Sequence, residues 1–471
     1  MGTWTPTIGL ECHAQLATRH KLFCACPTDG VAACPICQGH PGVMPVLNEE
    51  AAVLALRGAL ALGCVLSPTS TFARKHYVYP DTPKGYQITQ GAVPIGRSGE
   101  LHVQVEGVDR CFAIARVHLE EDAGRIVVEG GAARLDDGRA GVPLIEIVGA
   151  PDLDSPAAAE AWLRMVAAVL VEAGVSEGAM ERGNLRCDVN VSLSRPESPP
   201  GVRVELKNLN SPRFVARALR DEIERQRRIL DTGGVVRPET RAWDGKQSRP
   251  LREKVDAAGY GIIPEPDLPP LEATPARLAA AAAGLPAGPL SRWILDAAAA
   301  RVEAFRGRYG LSAVQAGPLL ADEGLMACFV AAVEAGGAPE AMAAWVCNEV
   351  GRLQTLQPVG HLRPADLVAL QAEVAGGRRT RAAARQLLAQ LWERGGALAE
   401  MQPVAPLIDE VDRIRSLAQA LIVTNVDQAA RYRAGEAAML GYFMGLLVRA
   451  LGGRADPRLC NRIVREELEG S

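Results

Sequence analysis

The chain has no excess of positive charge. Its 51 lysines and arginines face 55 aspartates and glutamates, for a formal net charge of −4 and a sequence pI of about 6.1. Binding of nucleic acid by bulk charge is excluded, so any RNA contact has to come from local patches. Nor is there an apolar run near the roughly 20 residues that a membrane-spanning helix needs. Stretches such as 276–287 are short, rich in alanine and broken by Gly284 and Pro286. Polar Thr, Glu and His interrupt the first twenty residues, which do not read as a secretory leader. The expectation is a cytoplasmic protein without a membrane partner. Also missing are a G-x-x-x-x-G-K-[ST] phosphate loop, a G-x-G-x-x-G turn after a strand, and a serine or cysteine elbow for hydrolysing glutamine. If ATP is used, side chains and a metal must hold it.

What is present is ordinary in bulk: 471 residues, 48% apolar and 23% charged, enough for two to four domains. Organisation shows in the composition. Residues 1–270 are rich in glycine, proline and short alternating strands. The stretch Pro264–Pro270 then reads as a stiff extended link, because its prolines exclude helix. Beyond it the sequence is rich in Ala, Leu and Arg with helical periodicity, broken at Gly336-Gly337, Gly376-Gly377, Gly395-Gly396 and Gly452-Gly453. One helix is expected over 340–353. The fold class is α+β.

Eleven cysteines, an odd number, argue against a disulfide framework. Four crowd together as Cys24-Ala25-Cys26 and Cys34-Pro35-Ile36-Cys37. Four thiolates at that spacing predict a small closed zinc knuckle over 24–37, with metal-free reduced thiols as the alternative.

Several segments carry charge where a strand should be. In Ile8–Leu16, period 2 puts Ile8, Leu10, Cys12, Ala14 and Leu16 on one face and Glu11, His13 and Gln15 on the other. Side chains two apart lie about 7 Å from each other, so Glu11 and His13 can lean toward one divalent ion. On this segment alone a half-buried strand with a wet face is the simpler reading. Glu120-Glu121-Asp122 places three acids in a row, which suits either a cation or an exposed turn. Glu146 is the single charge in the apolar run Val142–Val148 and needs a partner, a metal or an arginine. Arg186, Asp188, Asn190 and Ser192 alternate with apolar residues, as Glu205 and Lys207 do in their own strand; both look like the floor of a polar cleft. The loop 74–87, with Lys75, Tyr79, Asp81, Lys84 and Tyr86, is dense in cations and aromatics and suits phosphates and stacked bases.

Taken in order, these strings resemble one family. They are Ile8-Gly9-Leu10-Glu11 with His13; Pro41-Gly42 followed by Pro45–Asn48; Arg74-Lys75 followed by Tyr79-Pro80-Asp81; Pro83–Ile88; His118–Gly124; Arg139–Val148; Leu185–Asp188; Glu205–Ser211; Pro264–Pro270; and a C-terminal stretch Gly441–Leu468 containing Asn461. The chain is similar to GatB, the B-subunit family of bacterial tRNA-dependent amidotransferases. The resemblance implies a mixed-sheet cradle domain over 1–270, an all-helical domain over 271–400 and a small helical YqeY-like tail over 401–471 that binds tRNA. It also implies a heterotrimer with an amidase, GatA, and a small third chain, GatC.

The implied activity belongs to protein biosynthesis. With ATP, a C–N ligase phosphorylates the side-chain carboxylate of misacylated Glu-tRNA(Gln) or Asp-tRNA(Asn) and amidates it with ammonia that the amidase draws from glutamine. The resemblance gives Glu11, His13, Glu120 and Glu146 as ligands of Mg²⁺, with Mn²⁺ as the alternative because histidine is an uncommon Mg²⁺ ligand. Lys84, Arg186 and Asp188 join them as catalytic residues. Lys75, Tyr79, Asp81, Tyr86, Asn190, Ser192, Glu205 and Lys207 are implied for ATP and substrate. The sequence departs from the family at Gly149–Asp152, Pro250–Lys254, Ala257–Ile263 and Arg378–Arg381. Two rival readings stand beside this one: a non-catalytic, zinc-containing tRNA-binding scaffold on the same fold, and a stand-alone ATP-dependent ligase for a small acid.

Overall fold

The structure is a computed structural model that describes residues 4–29, 34–76, 79–253, 261–356, 360–401, 410–452 and 455–470. The fold is α+β, and the chain divides into two compact units, Met1–Ala298 and Ala299–Ser471.

The first unit is built on a nine-stranded sheet. From one edge it runs Ser248–Glu253, Glu239–Trp243, Val204–Leu209, Leu185–Ser194, Thr5–Gln15, Pro143–Gly149, Val108–Glu121, Gly96–Val105 and Val65–Leu66. The sheet is mixed: Val204–Leu209 and Glu239–Trp243 are parallel, whereas Thr5–Gln15 is antiparallel to both its neighbours. That central strand alternates as its sequence predicts, with Ile8, Leu10, Cys12 and Ala14 buried on one side. They join a single hydrophobic core with Leu56 of helix Glu49–Ala61, Trp162 and Val166 of Pro156–Glu172, and Val215 and Leu219 of Pro212–Asp231. Each helix starts on a capping side chain: Asn48, Ser155 and Ser211 accept backbone N–H bonds, and Pro156 and Pro212 occupy first-turn positions. Gly58 allows the first helix close to the sheet, since a Cβ there would lie 2.7 Å from Ile145 Cδ1.

Pro264–Pro270, expected as a link between domains, belongs to the first unit. Gly261–Pro264 pairs with strand Phe72–His76, the Glu265 N–H donates to Phe72 O at 3.0 Å, and Leu271–Glu272 pairs with Thr69–Ser70. The prolines tolerate this because they sit at the end of an edge strand or outside it, where no ladder N–H is required. The first unit therefore continues beyond residue 270 to Ala298.

The second unit is helical and holds two hydrophobic cores, one spanning Leu311 to Leu391 and the other Ile414 to Leu468. The expected breaks at Gly336, Gly377 and Gly395 are present, each glycine with positive φ. The helix expected over 340–353 is not continuous. Pro339–Trp345 passes through a π turn, Val346–Val350, into Gly351–Leu356. The π turn carries Glu349 into the interior, 1% exposed, where Arg385 donates to its carboxylate at 2.7 and 2.8 Å and Arg381 at 3.2 Å. Among the described residues no single helix is long and apolar enough to cross a membrane.

Candidate active site and metal centres

The face of the sheet opposite the three helices is polar, and strand register organises it into rows. His118, Glu146, His13 and Arg186 lie directly across from one another on four adjacent strands. Beside them run Glu11 and Asp188, and further along Asn190, Glu205 and Thr240. Neighbours in a row share a face and come within side-chain reach.

The geometry brings Glu11, His13 and Glu146 together, one ligand atom of each within 4.8 Å of the others. Glu120 stands behind them, its Oε1 3.4 Å from His13 Nε2 and its Oε2 accepting from Thr89 Oγ1 at 3.0 Å. Glu146 finds neither an arginine nor isolation: His118 Nδ1 lies 3.6 Å from its Oε2. The sequence alone does not single out His118 as a site residue. It lies two positions before Glu120 and hence on the same face by period 2, but its pairing with Glu146 depends on strand register.

The electrostatics follow from crowding. Burial, then repulsion from Glu146, pushes Glu11 up despite His13. Burial pushes Glu120 up to about 7, with His13 opposing and Glu146 reinforcing. Burial would raise Glu146 as well, but the His118 hydrogen bond and the charges of His13, His118 and Lys75 prevail and hold it down to about 2. The charge of Lys75 also pulls all three carboxylates down. Two carboxylates and an imidazole around one point, with a third carboxylate behind, fit a divalent cation. The imidazole shifts preference from Mg²⁺ toward Mn²⁺.

The acidic run is not an exposed turn. Glu120, Glu121 and Asp122 are 3%, 4% and 4% exposed, and each meets different partners. Lys84 grips both oxygens of Glu121, which also accepts the Ile88 N–H at 2.8 Å. Asp122 accepts from Arg186 Nη2 at 2.7 Å, lies 3.3 Å from Arg139 Nε and accepts from Gln15 Nε2 at 3.3 Å. The structure does not bring Lys84, Asp81 or Tyr86 into the Glu11–His13–Glu146 cluster. They line a neighbouring recess with Cys37, Glu121 and Gly141. Tyr79 is 48% exposed, and Tyr77 and Val78 lie outside the described residues.

On the cleft floor Lys207 bonds Asp188 and lies 3.4 Å from Glu205, which accepts from Thr240 Oγ1 at 2.8 Å. Ser192 is buried opposite Thr7. Two buried polar atoms here, Arg186 Nε and Asn190 Oδ1, have no hydrogen-bond partner among the described residues; such atoms ask for a ligand or water. One wall is fixed from outside. Arg74 forks onto Glu265 at 2.8 and 2.9 Å, reaches Asp267 at 2.8 Å and stacks over Tyr86 with 4.5 Å to the ring centroid.

The four knuckle cysteines also converge, with all sulfurs within 4.8 Å of one another. Cys37 Sγ lies 3.9 Å from Cys34 Sγ and 4.0 Å from Cys26 Sγ. Sulfurs on a tetrahedral zinc ion stand about 3.8 Å apart for bonds of about 2.3 Å, so the donor set fits. Burial raises Cys34, but backbone N–H groups of Cys37 and Ile36 outweigh it and lower the thiol to about 7. Burial pushes the Cys37 thiol up, opposed by the ammonium of Lys21, which is 1% exposed and without a hydrogen-bond partner among the described residues.

In the tail, Arg431 is forked by Glu436 at 2.8 and 2.6 Å, and Arg433 and Arg449 donate to the carbonyls of Leu468 and Gly445. Arg454 lies outside the described residues, as does the departing stretch 254–260. At the other departures, Asp152 accepts the Ala113 N–H at 2.9 Å and Arg379 bonds Glu373 at 2.5 Å.

Known proteins align with the chain over nearly all of its length. The GatB/GatE catalytic domain matches residues 6–279, and a second model, the GatB domain, matches 327–468. A protein of Anaeromyxobacter dehalogenans, named as the B subunit of aspartyl/glutamyl-tRNA(Asn/Gln) amidotransferase, is 39% identical, covering 98% of each chain. Proteins of the same name from Myxococcus xanthus and a Picosynechococcus species are 39% and 36% identical over 98% of this chain, covering 98% and 97% of their own. On these matches, the chain belongs to the GatB family of amidotransferase B subunits.

Proposed function

We propose that this chain activates the side-chain carboxylate of misacylated Glu-tRNA(Gln) or Asp-tRNA(Asn) with ATP and passes it to ammonia, working in the cytoplasm beside an amidase partner, GatA, and a small partner, GatC. The observation that carries this reading is the crowding of three carboxylates, half-exposed Glu11 with buried Glu120 and largely buried Glu146, around His13 on an otherwise polar sheet face. The chemistry needs such a place. A carboxylate oxygen attacks the γ-phosphorus of ATP, ADP leaves, ammonia attacks the acyl phosphate and inorganic phosphate departs. The first step brings two anions into contact, so charge stabilisation is its main demand.

Glu11, His13 and Glu146, with Glu120 behind, would hold a divalent cation, which when bound supplies the charge neutralisation of phosphoryl transfer. The chain's own groups do the rest. Lys75 places a positive charge beside the acids. Thr89 and His13 fix Glu120, and His118 fixes Glu146. Arg186 Nε and Asn190 Oδ1 offer a donor and an acceptor to the substrate. A non-catalytic scaffold leaves this concentration of buried acid without a purpose, since an uncompensated buried charge costs stability. With a reconstituted heterotrimer, ATP should be consumed in proportion to amidated tRNA, and only when misacylated tRNA and a divalent cation are both supplied. Amidation at an undiminished rate without ATP would rule the mechanism out.

A further inference from the structure

We infer that Glu100, His102 and Cys111 form a second metal site, outside the cleft and outside the knuckle, that binds one borderline-soft divalent ion of the Zn²⁺ type. The argument begins with a turn. Strands Gly96–Val105 and Val108–Glu121 are joined through Glu106 and Gly107, both with positive φ, 50° and 84°. Two left-handed residues in a two-residue loop make the type I′ hairpin turn, which locks the register of the strands.

In that register Val105 faces Val108 and His102 faces Cys111. Counting alternately from the hydrogen-bonded pair at the turn, His102 and Cys111 form a non-hydrogen-bonded pair, in which side chains approach most closely. The N–H of His102 bears this out: it points away from its partner strand and donates to Ser291 Oγ at 3.0 Å. Glu100, two residues earlier, shares the same face.

The three donor atoms lie within 4.8 Å of one another. His102 Nε2 is 3.7 Å from Glu100 Oε2 and 3.9 Å from Cys111 Sγ. On a tetrahedral zinc ion the corresponding edges are about 3.4 Å between nitrogen and oxygen and about 3.6 Å between nitrogen and sulfur, so sub-ångström adjustments close the site. The donor set of carboxylate, imidazole and thiolate selects zinc-like ions over Mg²⁺. Three protein ligands leave the fourth position open to water or an exogenous donor.

The test is a difference measurement on the full-length chain, so it does not depend on the knuckle or the cleft. Wild type, Cys111→Ser and His102→Asn are each loaded with Zn²⁺, desalted and analysed for metal. They are separately titrated with Co²⁺, whose thiolate charge-transfer band reports sulfur ligation. Wild type should hold one more equivalent than either variant. Part of its cobalt–thiolate band should vanish in Cys111→Ser, and Glu100→Gln should weaken the extra equivalent about tenfold. All variants should melt with wild type in chelator, which separates lost binding from lost folding. Equal metal content and equal cobalt spectra in wild type and Cys111→Ser would overturn the inference. So would an extra equivalent that appears only at millimolar zinc.

Discussion

Replacing Glu146 by glutamine separates what the acidic cluster does for chemistry from what it does for folding. Glu146 is held down to about 2, so it is ionised at neutral pH and the substitution removes a full negative charge with little change of shape. The structural cost should be small because attraction and repulsion at this one carboxylate offset each other. Its removal loses attraction to His118, His13 and Lys75 but relieves repulsion that raises Glu11 and Glu120. The functional cost should be large. Loss of one preorganised charge-stabilising group typically lowers a rate by about 10²–10³, or about 3–4 kcal/mol of transition-state stabilisation. The assay is ATP consumption and tRNA amidation by the heterotrimer, run beside a thermal melt of the same preparation and beside glutamine hydrolysis by the amidase partner. The expected pattern is a collapse of the ATP-dependent step, a melt shifted by no more than a few degrees, and glutaminase activity retained. Near-normal amidation by Glu146→Gln would refute the placement of the chemistry.

Other sites give independent checks. Glu265→Gln breaks the fork from Arg74 at a side chain with 0% exposure and should destabilise the first unit by about 3 kcal/mol, read as a lowered urea midpoint; an unchanged midpoint contradicts the clamp. Cys37→Ser should cost the knuckle its zinc in elemental analysis and lower the melting temperature, whereas wild-type protein without zinc would contradict the site. Glu349→Ala leaves Arg381 and Arg385 free to turn to water, being 51% and 49% exposed. The loss should therefore be about 1–3 kcal/mol and confined to the helical unit, detectable by hydrogen exchange around 339–394. Removing residues 411–471, which contain a core of their own, should raise the KM for charged tRNA and leave glutamine hydrolysis intact; unchanged tRNA affinity would contradict a tRNA-binding tail.

Much of the site was legible because strands announce themselves by alternation. The period of Thr5–Gln15 separates Glu11 and His13 from the core without any tertiary knowledge, and a lone glutamate in Val142–Val148 must find a partner. Which partner was not legible. His118 meets Glu146 through a register set between strands far apart in sequence. The acidic run defeats period 2 altogether: its three residues are all buried, and distant partners sort them, Thr89 and the Ile88 N–H of strand Tyr86–Gln90 holding Glu120 and Glu121 while Arg186 and Arg139 hold Asp122. Pro264–Pro270 looks like a link because prolines lack donors, yet the donor that matters belongs to Glu265. The π turn at 346–350 leaves no mark on the periodicity over so few residues, and the glutamate it buries is held by two arginines 32 and 36 residues further along the chain.

The distribution of partners around Glu120-Glu121-Asp122 locates the cleft's unmet demand for positive charge. Asp122 has two arginines, Arg186 and Arg139, and Glu121 has Lys84; both anions are matched inside the protein. The neighbouring acids on the open face are not. Glu11, Glu120 and Glu146 share two histidines and the more distant pull of Lys75. Glu120, buried and then repelled by Glu146, rises to about 7 against the opposing pull of His13. Had the fold required only a buried polar seam, an arginine at position 13 or 118 would have neutralised it, as Arg186 does for Asp122. Histidine leaves the charge available and offers a ligand nitrogen as well. On the proposed function, a divalent cation at this point would lower all three carboxylates together, and the ATP that such a cation accompanies would approach the side of the sheet opposite the three helices.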